Sequence, residues 1–257
     1  MVDYQKVASD YVTDVLQNKV LSNKYVKLAC RRQLDDLMNE GTSGFPYVYD
    51  ASKGIRVCQF VEQLPHIKGK LAGEKIKLEP WQIFILMTAF SWVHKDTGYR
   101  RFRRVYIEVP RGNGKSAMSS AIGLYMLCAD GEGGAEVYSF ATTRDQAKIV
   151  FGDAQQMARR TAGLRTHFGI EVNAHNINQL KTASKFEALS AEGSTLDGLN
   201  THFAIIDELH AHKTRAVYDV VETSIGKRTQ SMLGLSLQQA QIGLEFAMKL
   251  GVLSGKF

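Results

Sequence analysis

The stretch that decides the fold of this chain is Val109-Pro110-Arg111-Gly112-Asn113-Gly114-Lys115-Ser116. It connects an apolar strand candidate at 105–109 with a helical segment at 115–128. A glycine-rich turn in this position directs backbone N–H groups inward and ends at a helix N-terminus, which favours phosphate. Lys115 would reach the terminal phosphates of a nucleotide, and the hydroxyl of Ser116 would ligate Mg²⁺. The stretch therefore predicts a P-loop.

This loop departs from the usual P-loop pattern at its first position. That pattern opens with a glycine five residues before the one that precedes the lysine. Here Val109 occupies that place. The letters Gly-Lys-Ser alone are weak evidence, because a surface loop can hold them by chance. It is the strand before the loop and the helix after it that favour a nucleotide site.

A second motif, Phe203-Ala204-Ile205-Ile206-Asp207-Glu208, is an apolar strand that ends in two carboxylates. Asp207 at the carboxyl end of a strand can hold Mg²⁺ through water, and Glu208 can orient and deprotonate an attacking water. Taken alone, the same letters also fit an acidic helix cap after a core strand. The two motifs in this order favour nucleotide hydrolysis.

The order of the predicted elements indicates an α/β fold. Residues 1–75 read as an N-terminal helical segment, and from 104 onward short apolar strands alternate with helices. The strand candidates are 105–109, 136–140, 186–190 and 203–206, and the helix candidates are 115–128 and 143–159. Strands that alternate with helices predict a mostly parallel sheet flanked by helices.

Composition and charge are those of an ordinary globular protein. The 257 residues carry a net charge of +6, and 44% of them are hydrophobic. The longest apolar runs are far too short to cross a bilayer and the N-terminus lacks a signal-peptide layout, so we expect a cytoplasmic protein without membrane contact. The densest basic cluster comprises Arg100, Arg101, Arg103 and Arg104. It fits two roles equally well, contact with DNA phosphates or a solvated lead-in to a buried strand.

Four stretches together resemble the large terminase subunits of bacteriophages. Leu78-Glu79-Pro80-Trp81-Gln82 is similar to their adenine-contacting segment, 110–116 to their arginine-bearing Walker A motif, 141–147 to the segment after their second strand, and 207–210 to their Walker B motif. The resemblance covers residues 20–230 and implies a P-loop NTPase of the additional-strand type. It also implies that residues 76–230 form an ATPase domain that hydrolyses ATP to drive double-stranded DNA into a procapsid.

The same resemblance implies cofactors, partners and residue roles. The cofactors are ATP and Mg²⁺. The partners are double-stranded DNA, the portal protein and the small terminase subunit, and the chains form a homo-oligomeric ring in the bacterial host cytoplasm. The residues expected to bind nucleotide are Gln82, Pro110, Arg111, Gly112, Asn113, Gly114, Lys115 and Ser116. Ser116 and Asp207 would hold the metal, and Glu208, Lys115 and Arg111 would act in catalysis. Gln82 is assigned to adenine, because an amide both donates and accepts hydrogen bonds.

Several assignments near the predicted site stay open. Arg111 would contact the γ-phosphate within its own subunit or act as a charge-stabilising arginine finger. Arg144, Arg215 and Arg228 are rival candidates for the finger, and the sequence does not rank them. His210 and His212 follow the Walker B motif without a complementary Cys/His set, so we interpret them as residues at the edge of the site or on the surface.

The pattern changes after Gln230. The resemblance calls for an apolar strand ending in Thr-Thr-Ala-Gly, whereas the chain continues as Ser231-Met232-Leu233-Gly234-Leu235-Ser236-Leu237 and ends at Phe257. Residues 235–248 can be encoded by several sets of synonymous codons. One such set encodes Ile-Thr-Thr-Ala-Gly in a second reading frame, which begins at the third nucleotide of the codon for residue 235. We therefore expect a change of reading frame near 231–233, which makes 231–257 an out-of-frame or atypical tail that precedes no nuclease domain. We also expect the strand beside 203–206 to be missing and a helix to form over 238–250.

Two other readings of the chain remain. One is an inactive prophage remnant that at most binds nucleotide. The other is a helicase-like P-loop translocase, which shares both ATP motifs. The arginine in the loop and the segment 78–82 favour a terminase over a helicase.

Overall fold

The structure, a computed structural model, describes residues 2–110, 112–141, 144–190, 198–207, 214–239 and 249–252. The α-helices among them are α1 (Tyr4–Leu16), α2 (Lys24–Asn39), α3 (Ala51–Val61), α4 (Pro80–Ser91), α5 (Lys115–Cys128), α6 (Arg144–Arg160), α7 (Ala162–Phe168) and α8 (Ala216–Ile225). The strands are β1 (Tyr47–Tyr49), β2 (Trp92–His94), β3 (Arg104–Pro110), β4 (Glu136–Ala141), β5 (Ile170–Val172), β6 (Asn176–Gln179), β7 (Ser184–Ser190), β8 (Thr201–Ile206), β9 (Met232–Gln239) and β10 (Lys249–Val252).

The chain divides into two compact units. The first comprises Met1–Phe60, Lys77–Arg111 and Gln238–Phe257, and the second comprises Val61–Ile76 and Gly112–Leu237. The domain boundaries expected from the sequence, at 75/76 and 230/231, stay a prediction.

Helix α4 forms the centre of the first unit. It is apolar on nearly every side, and each residue from 82 to 91 is buried. A helix that is hydrophobic all round either lies in a protein core or spans a membrane. With twelve residues α4 is a core helix, and no helix in the described part of the chain is long and apolar enough to cross a bilayer. Helix α1 packs against α4, and its buried side chains are Tyr4, Ala8, Tyr11, Val12 and Val15.

Arg101, one of the four clustered arginines, is a structural residue of this unit. Its guanidinium donates a hydrogen bond to the Oδ1 of Asp36 at 3.0 Å, and its Nη1 lies 2.7 Å from the Oδ2 of the same carboxylate. It also lies over the aromatic rings of Phe45, Tyr47, Trp92 and Phe102, between 4.8 and 5.7 Å from their centroids. A planar guanidinium suits this combination of a bidentate ion pair and stacking. Arg101 therefore anchors α2 to the segment before β3, and its side chain is only 10% exposed.

The sheet of the second unit confirms the predicted α/β fold. Its described strands lie in the order β9-β8-β4-β7-β6-β5. The pairs β9–β8, β8–β4 and β4–β7 are parallel, and the last two pairs are antiparallel. Helices α5, α6 and α8 pack on these strands. Parallel neighbours need such helical crossovers, because a tight hairpin can join only antiparallel strands.

The predicted elements correspond closely to the observed ones. The helix candidate at 115–128 is α5, and the four strand candidates are β3, β4, β7 and β8. All six residues of β8 are buried, because the strand lies between β4 and β9. Its continuous apolar run, which lacks the alternation of a half-exposed strand, is the pattern expected of a central parallel strand.

The prediction that no strand lies beside 203–206 is wrong. β9 pairs in parallel with β8, from Met232 opposite Phe203 to Leu235 opposite Ile206. Met232, Leu233 and Leu235 are buried, and burial of apolar side chains stabilises a strand whatever reading frame encodes them. The change of reading frame itself stays a prediction.

The helix expected over 238–250 is contradicted at both of its ends. β9 continues to Gln239, and β10 begins at Lys249 and pairs antiparallel with β3. Residues 240–248, which form the rest of the expected helix, lie outside the described part of the chain. The helix propensity of the residues in this segment predicted its structure poorly, because pairing with other strands overrides the intrinsic preference of a residue for a helix.

Candidate nucleotide-binding site

Asp207 stands at the carboxyl end of β8, where its backbone is fixed. Its amide donates a hydrogen bond to the carbonyl of Phe140 in β4, with an N–O distance of 3.0 Å. The six buried residues before it hold β8 between two parallel neighbours. Ligand sites of open parallel sheets lie at this carboxyl edge. The strand thus delivers the Asp207 carboxylate to the expected edge of the sheet.

The loop before α5 adopts the conformation that its glycines allow. Gly112 and Gly114 have φ angles of 83° and 71°, in the left-handed region that side chains other than glycine rarely adopt. Gly114 is the N-cap of α5, and its carbonyl accepts a hydrogen bond from the amide of Met118. Lys115 is consequently the first residue of the helix, where the backbone N–H groups of the first turn and the helix dipole favour an anion.

The two sequence motifs meet in an ion pair. The Nζ of Lys115 lies 3.0 Å from the Oδ1 of Asp207, and the two side chains are 11% and 15% exposed. The ion pair joins the lysine that begins α5 to the aspartate that directly follows β8. This juxtaposition is the main geometric feature of the candidate site.

The remaining described residues of the loop are open to solvent to different degrees. Asn113 and Ser116 are half-buried, and Gly112 and Gly114 are exposed. The carbonyl of Ser116 accepts a hydrogen bond from the hydroxyl of Ser120, which also contacts the carbonyl of Val150 in α6. The first turn of α5 is therefore tied to α6. Pro110 ends β3 in the first unit.

Two of the predicted catalytic residues lie outside the described residues. They are Arg111 and Glu208, and the same holds for His210 and His212. The side chain of Arg144 also falls outside the description, although its backbone begins α6. Their roles stay predictions from the sequence.

Gln82 has a local structural role in the first unit. Its Oε1 accepts a hydrogen bond from the backbone amide of Glu79, with an N–O distance of 2.9 Å, and so caps the first turn of α4. This is the capping-box arrangement in which a Glu or Gln three residues into a helix binds back to the cap. The capping bond uses one acceptor position of the amide and leaves the NH₂ donors for another partner.

Arg228, one of the rival finger candidates, is fully engaged elsewhere. Its guanidinium donates to the carbonyls of Asn200, Gly133 and Gly134 and to the carboxylate of Glu132 at 2.7 Å. These acceptors precede β4 and β8, so Arg228 lies at the amino edge of the sheet. The length of β8, about 20 Å, separates that edge from Asp207. The guanidinium of Arg228 thus holds together the loops that precede β4 and β8, whereas the side chain of Arg215 is 77% exposed.

Replacement of Arg228 by alanine should lower the free energy of unfolding by about 3 kcal/mol, because it leaves Glu132 and several carbonyls of the loop without their donor. Chemical denaturation of the full chain measures this change. The matched control is Arg215→Ala, which removes an exposed ion pair with Asp219 and should change stability by less than about 0.5 kcal/mol. An Arg228→Ala chain of unchanged stability that loses ATP turnover would restore Arg228 as a finger candidate.

A buried pair at the amino edge was missed by the sequence analysis. His202 is fully buried in β8, and its Nε2 lies 2.8 Å from the Oδ2 of Asp130, which follows α5. The pair joins the end of α5 to the start of β8, just as Lys115 and Asp207 join the start of α5 to the end of β8. Nothing in the sequence marks it, because the two residues are 72 positions apart and belong to no motif.

Comparison with known proteins now identifies the family. Residues 80–237 match the family of the terminase large subunit ATPase domain. The chain belongs to this family. The match continues past Gln230, where we expected the resemblance to stop, and so includes the paired part of β9 in this terminase ATPase domain.

Terminases of phage HK97 are similar to this chain in sequence and in structure. The large terminase subunit of Enterobacteria phage HK97 is 30% identical over 160 residues, which are 61% of this chain and 30% of that protein. The crystal structure of the HK97 large terminase aligns with a TM-score of 0.61 and 25% identity, and covers 73% of this chain and 38% of that one. The ATPase domain of the Thermus phage P74-26 large terminase aligns with a TM-score of 0.44 and 21% identity over 58% of this chain and 64% of that one. The chain thus spans 30–38% of the length of the HK97 relatives.

The described residues fit a magnesium nucleotide. The carboxylate of Asp207, the ammonium of Lys115 and the hydroxyl of Ser116 lie together near the N-terminus of α5. Mg²⁺ that is bound with a nucleotide needs only one or two protein ligands, because phosphates and water complete its coordination shell. No group of three or more His, Cys, Asp or Glu side chains that could hold a metal is found among the described residues. The Ser116 hydroxyl and the Asp207 carboxylate are oxygen donors of the kind that Mg²⁺ takes when it is bound together with phosphate.

Proposed function

We propose that this chain hydrolyses MgATP to drive double-stranded DNA into a viral procapsid, as the ATPase of a packaging motor. The family supports an ATPase. The observation that carries the proposal is the 3.0 Å contact between Lys115 and Asp207, which unites the phosphate-binding loop with the carboxyl end of β8.

Each residue of the site has a definite task in this proposal. Lys115 and the backbone N–H groups of the loop bind the β- and γ-phosphates. Ser116 and Asp207 hold Mg²⁺, which supplies positive charge against the charge that develops on the transferred phosphoryl group. Glu208 orients and deprotonates the attacking water, and Arg111 stabilises the charge of the γ-phosphate. Gln82 contacts adenine through its NH₂ donors.

The proposed partners follow from the family alone. They are double-stranded DNA, the portal protein and the small terminase subunit, and the chains act as a homo-oligomeric ring in the cytoplasm of the bacterial host. The net charge of +6 is compatible with a polyanion as cargo.

The test is release of inorganic phosphate from ATP by the full chain, with and without Mg²⁺, linear double-stranded DNA or single-stranded DNA of the same sequence. We expect release that requires Mg²⁺ and increases with double-stranded DNA. Stimulation by single-stranded DNA alone, with separation of the strands of a partial duplex, would favour a helicase-like translocase. Absence of hydrolysis in every condition would leave the chain as an inactive remnant.

A further inference from the structure

The ion pair between Lys115 and Asp207 places a condition on nucleotide binding. The ammonium that should bind phosphate already binds a carboxylate 3.0 Å away, and both side chains are largely shielded from water. A shielded pair is screened less by solvent and salt than a pair on the surface. Phosphate must therefore compete with Asp207 for Lys115.

The backbones of both partners are held in place by the secondary structure around them. Asp207 continues a strand that is buried throughout its length, and its amide is bound to the carbonyl of Phe140. Lys115 is the first residue of α5, whose first turn is tied to α6 through Ser120. A phosphate group that takes over Lys115 therefore meets the Asp207 carboxylate at close range, and like charges in a shielded site repel strongly.

We infer that Asp207 makes the site discriminate between metal-complexed and metal-free nucleotide, by competing with phosphate for Lys115 and by repelling phosphate that arrives without a cation. The inference rests on the proposed function, since it concerns the same nucleotide site. A metal-free nucleotide must break the ion pair with Lys115 and place its own negative charge beside a shielded carboxylate, which is costly. A metal-complexed nucleotide brings the positive charge that compensates the Asp207 carboxylate.

The experiment measures the Kd of ATP for the full chain by calorimetry, once in excess EDTA and once in excess Mg²⁺. Asp207→Asn removes the negative charge and keeps the shape of the side chain. The matched control is Asp153→Asn, because Asp153 in α6 is also a shielded carboxylate, 11% exposed, and pairs with Lys68 at 2.7 Å. Asp207→Glu, which keeps the charge, serves as the rescue variant.

Asp207→Asn should tighten the binding of ATP in EDTA by at least about tenfold, because Lys115 is released and the repulsion is removed. The ratio of the two Kd values, EDTA over Mg²⁺, should also fall, because only the metal-free complex is relieved of repulsion and the variant lacks the carboxylate that favours the metal complex. Asp153→Asn and Asp207→Glu should keep the ratio of the parent chain. An Asp207→Asn chain with the parent ratio overturns the inference.

Thermal melting provides a readout that does not depend on calorimetry and reports whether the variants fold. ATP in EDTA should raise the melting temperature of Asp207→Asn more than that of the parent chain, because a ligand that binds only the folded state stabilises it more, at a given concentration, when its Kd is lower. The outcomes also separate the two proposals. If the parent chain fails to bind ATP even with Mg²⁺, the proposed function itself fails. If the parent binds MgATP but the Kd ratio is unaffected by Asp207→Asn, only the discrimination by Asp207 is wrong.

Discussion

Replacement of Lys115 by alanine should reduce ATP hydrolysis by roughly 10²-fold or more, because the variant lacks the cation that faces the phosphates in the loop. Binding of MgATP should weaken in parallel, since the lysine contacts phosphate before and during the reaction. Initial rates of phosphate release and calorimetric titration of the full chain give the two quantities. The variant also leaves the Asp207 carboxylate, 15% exposed, without its partner, so a modest loss of thermal stability should accompany the loss of activity.

Lys68→Ala is the appropriate control for this variant. Lys68 also forms an ion pair with a shielded aspartate of the second unit, at 2.7 Å, but it belongs to neither ATP motif. It should hydrolyse ATP at the rate of the parent chain. If both lysine variants lose activity equally, the loss reports a general defect in folding, and the assignment of Lys115 to phosphate is not supported.

Replacement of Glu208 by glutamine should leave MgATP binding intact and lower the hydrolysis rate by about 10²-fold or more, as expected on loss of a positioned general base. The glutamine keeps the size of the side chain and can still orient a water, but it cannot accept the proton. The expected pattern is therefore an unchanged Kd together with a reduced kcat, whereas Lys115→Ala alters both.

Glu222→Gln provides the matched control for Glu208. Glu222 lies in α8, where it accepts a hydrogen bond from the hydroxyl of Tyr218, and it has no proposed part in catalysis. Its amide variant should hydrolyse ATP normally. Hydrolysis by Glu208→Gln at the parent rate would show that another group activates the water.

Local patterns in the sequence were sufficient to predict the central elements. The apolar run 203–206, the glycine turn at 112–114 and the helical segment 115–128 correspond to β8, the loop and α5. Such patterns are informative because strand and helix periodicity and glycine conformation depend on residues close together in the chain. The same local reasoning failed after Gln230, because it searched for the Thr-Thr-Ala-Gly motif. It overlooked that the apolar residues from Met232 to Leu235 can pair with β8 without that motif.

The sequence by itself therefore determined that the chain has a P-loop followed by a strand that ends in Asp207, and it indicated the terminase family. Only the tertiary structure decided which charged groups meet. It paired Lys115 with Asp207 at the carboxyl edge of the sheet, attached Arg228 to the loops at the opposite edge and buried Arg101 against Asp36 among aromatic rings. These choices depend on contacts between residues far apart in the chain, and the free energy of an ion pair depends on the burial and geometry of both partners. A sequence shows that an arginine is present, whereas the fold determines whether its guanidinium is available to a ligand.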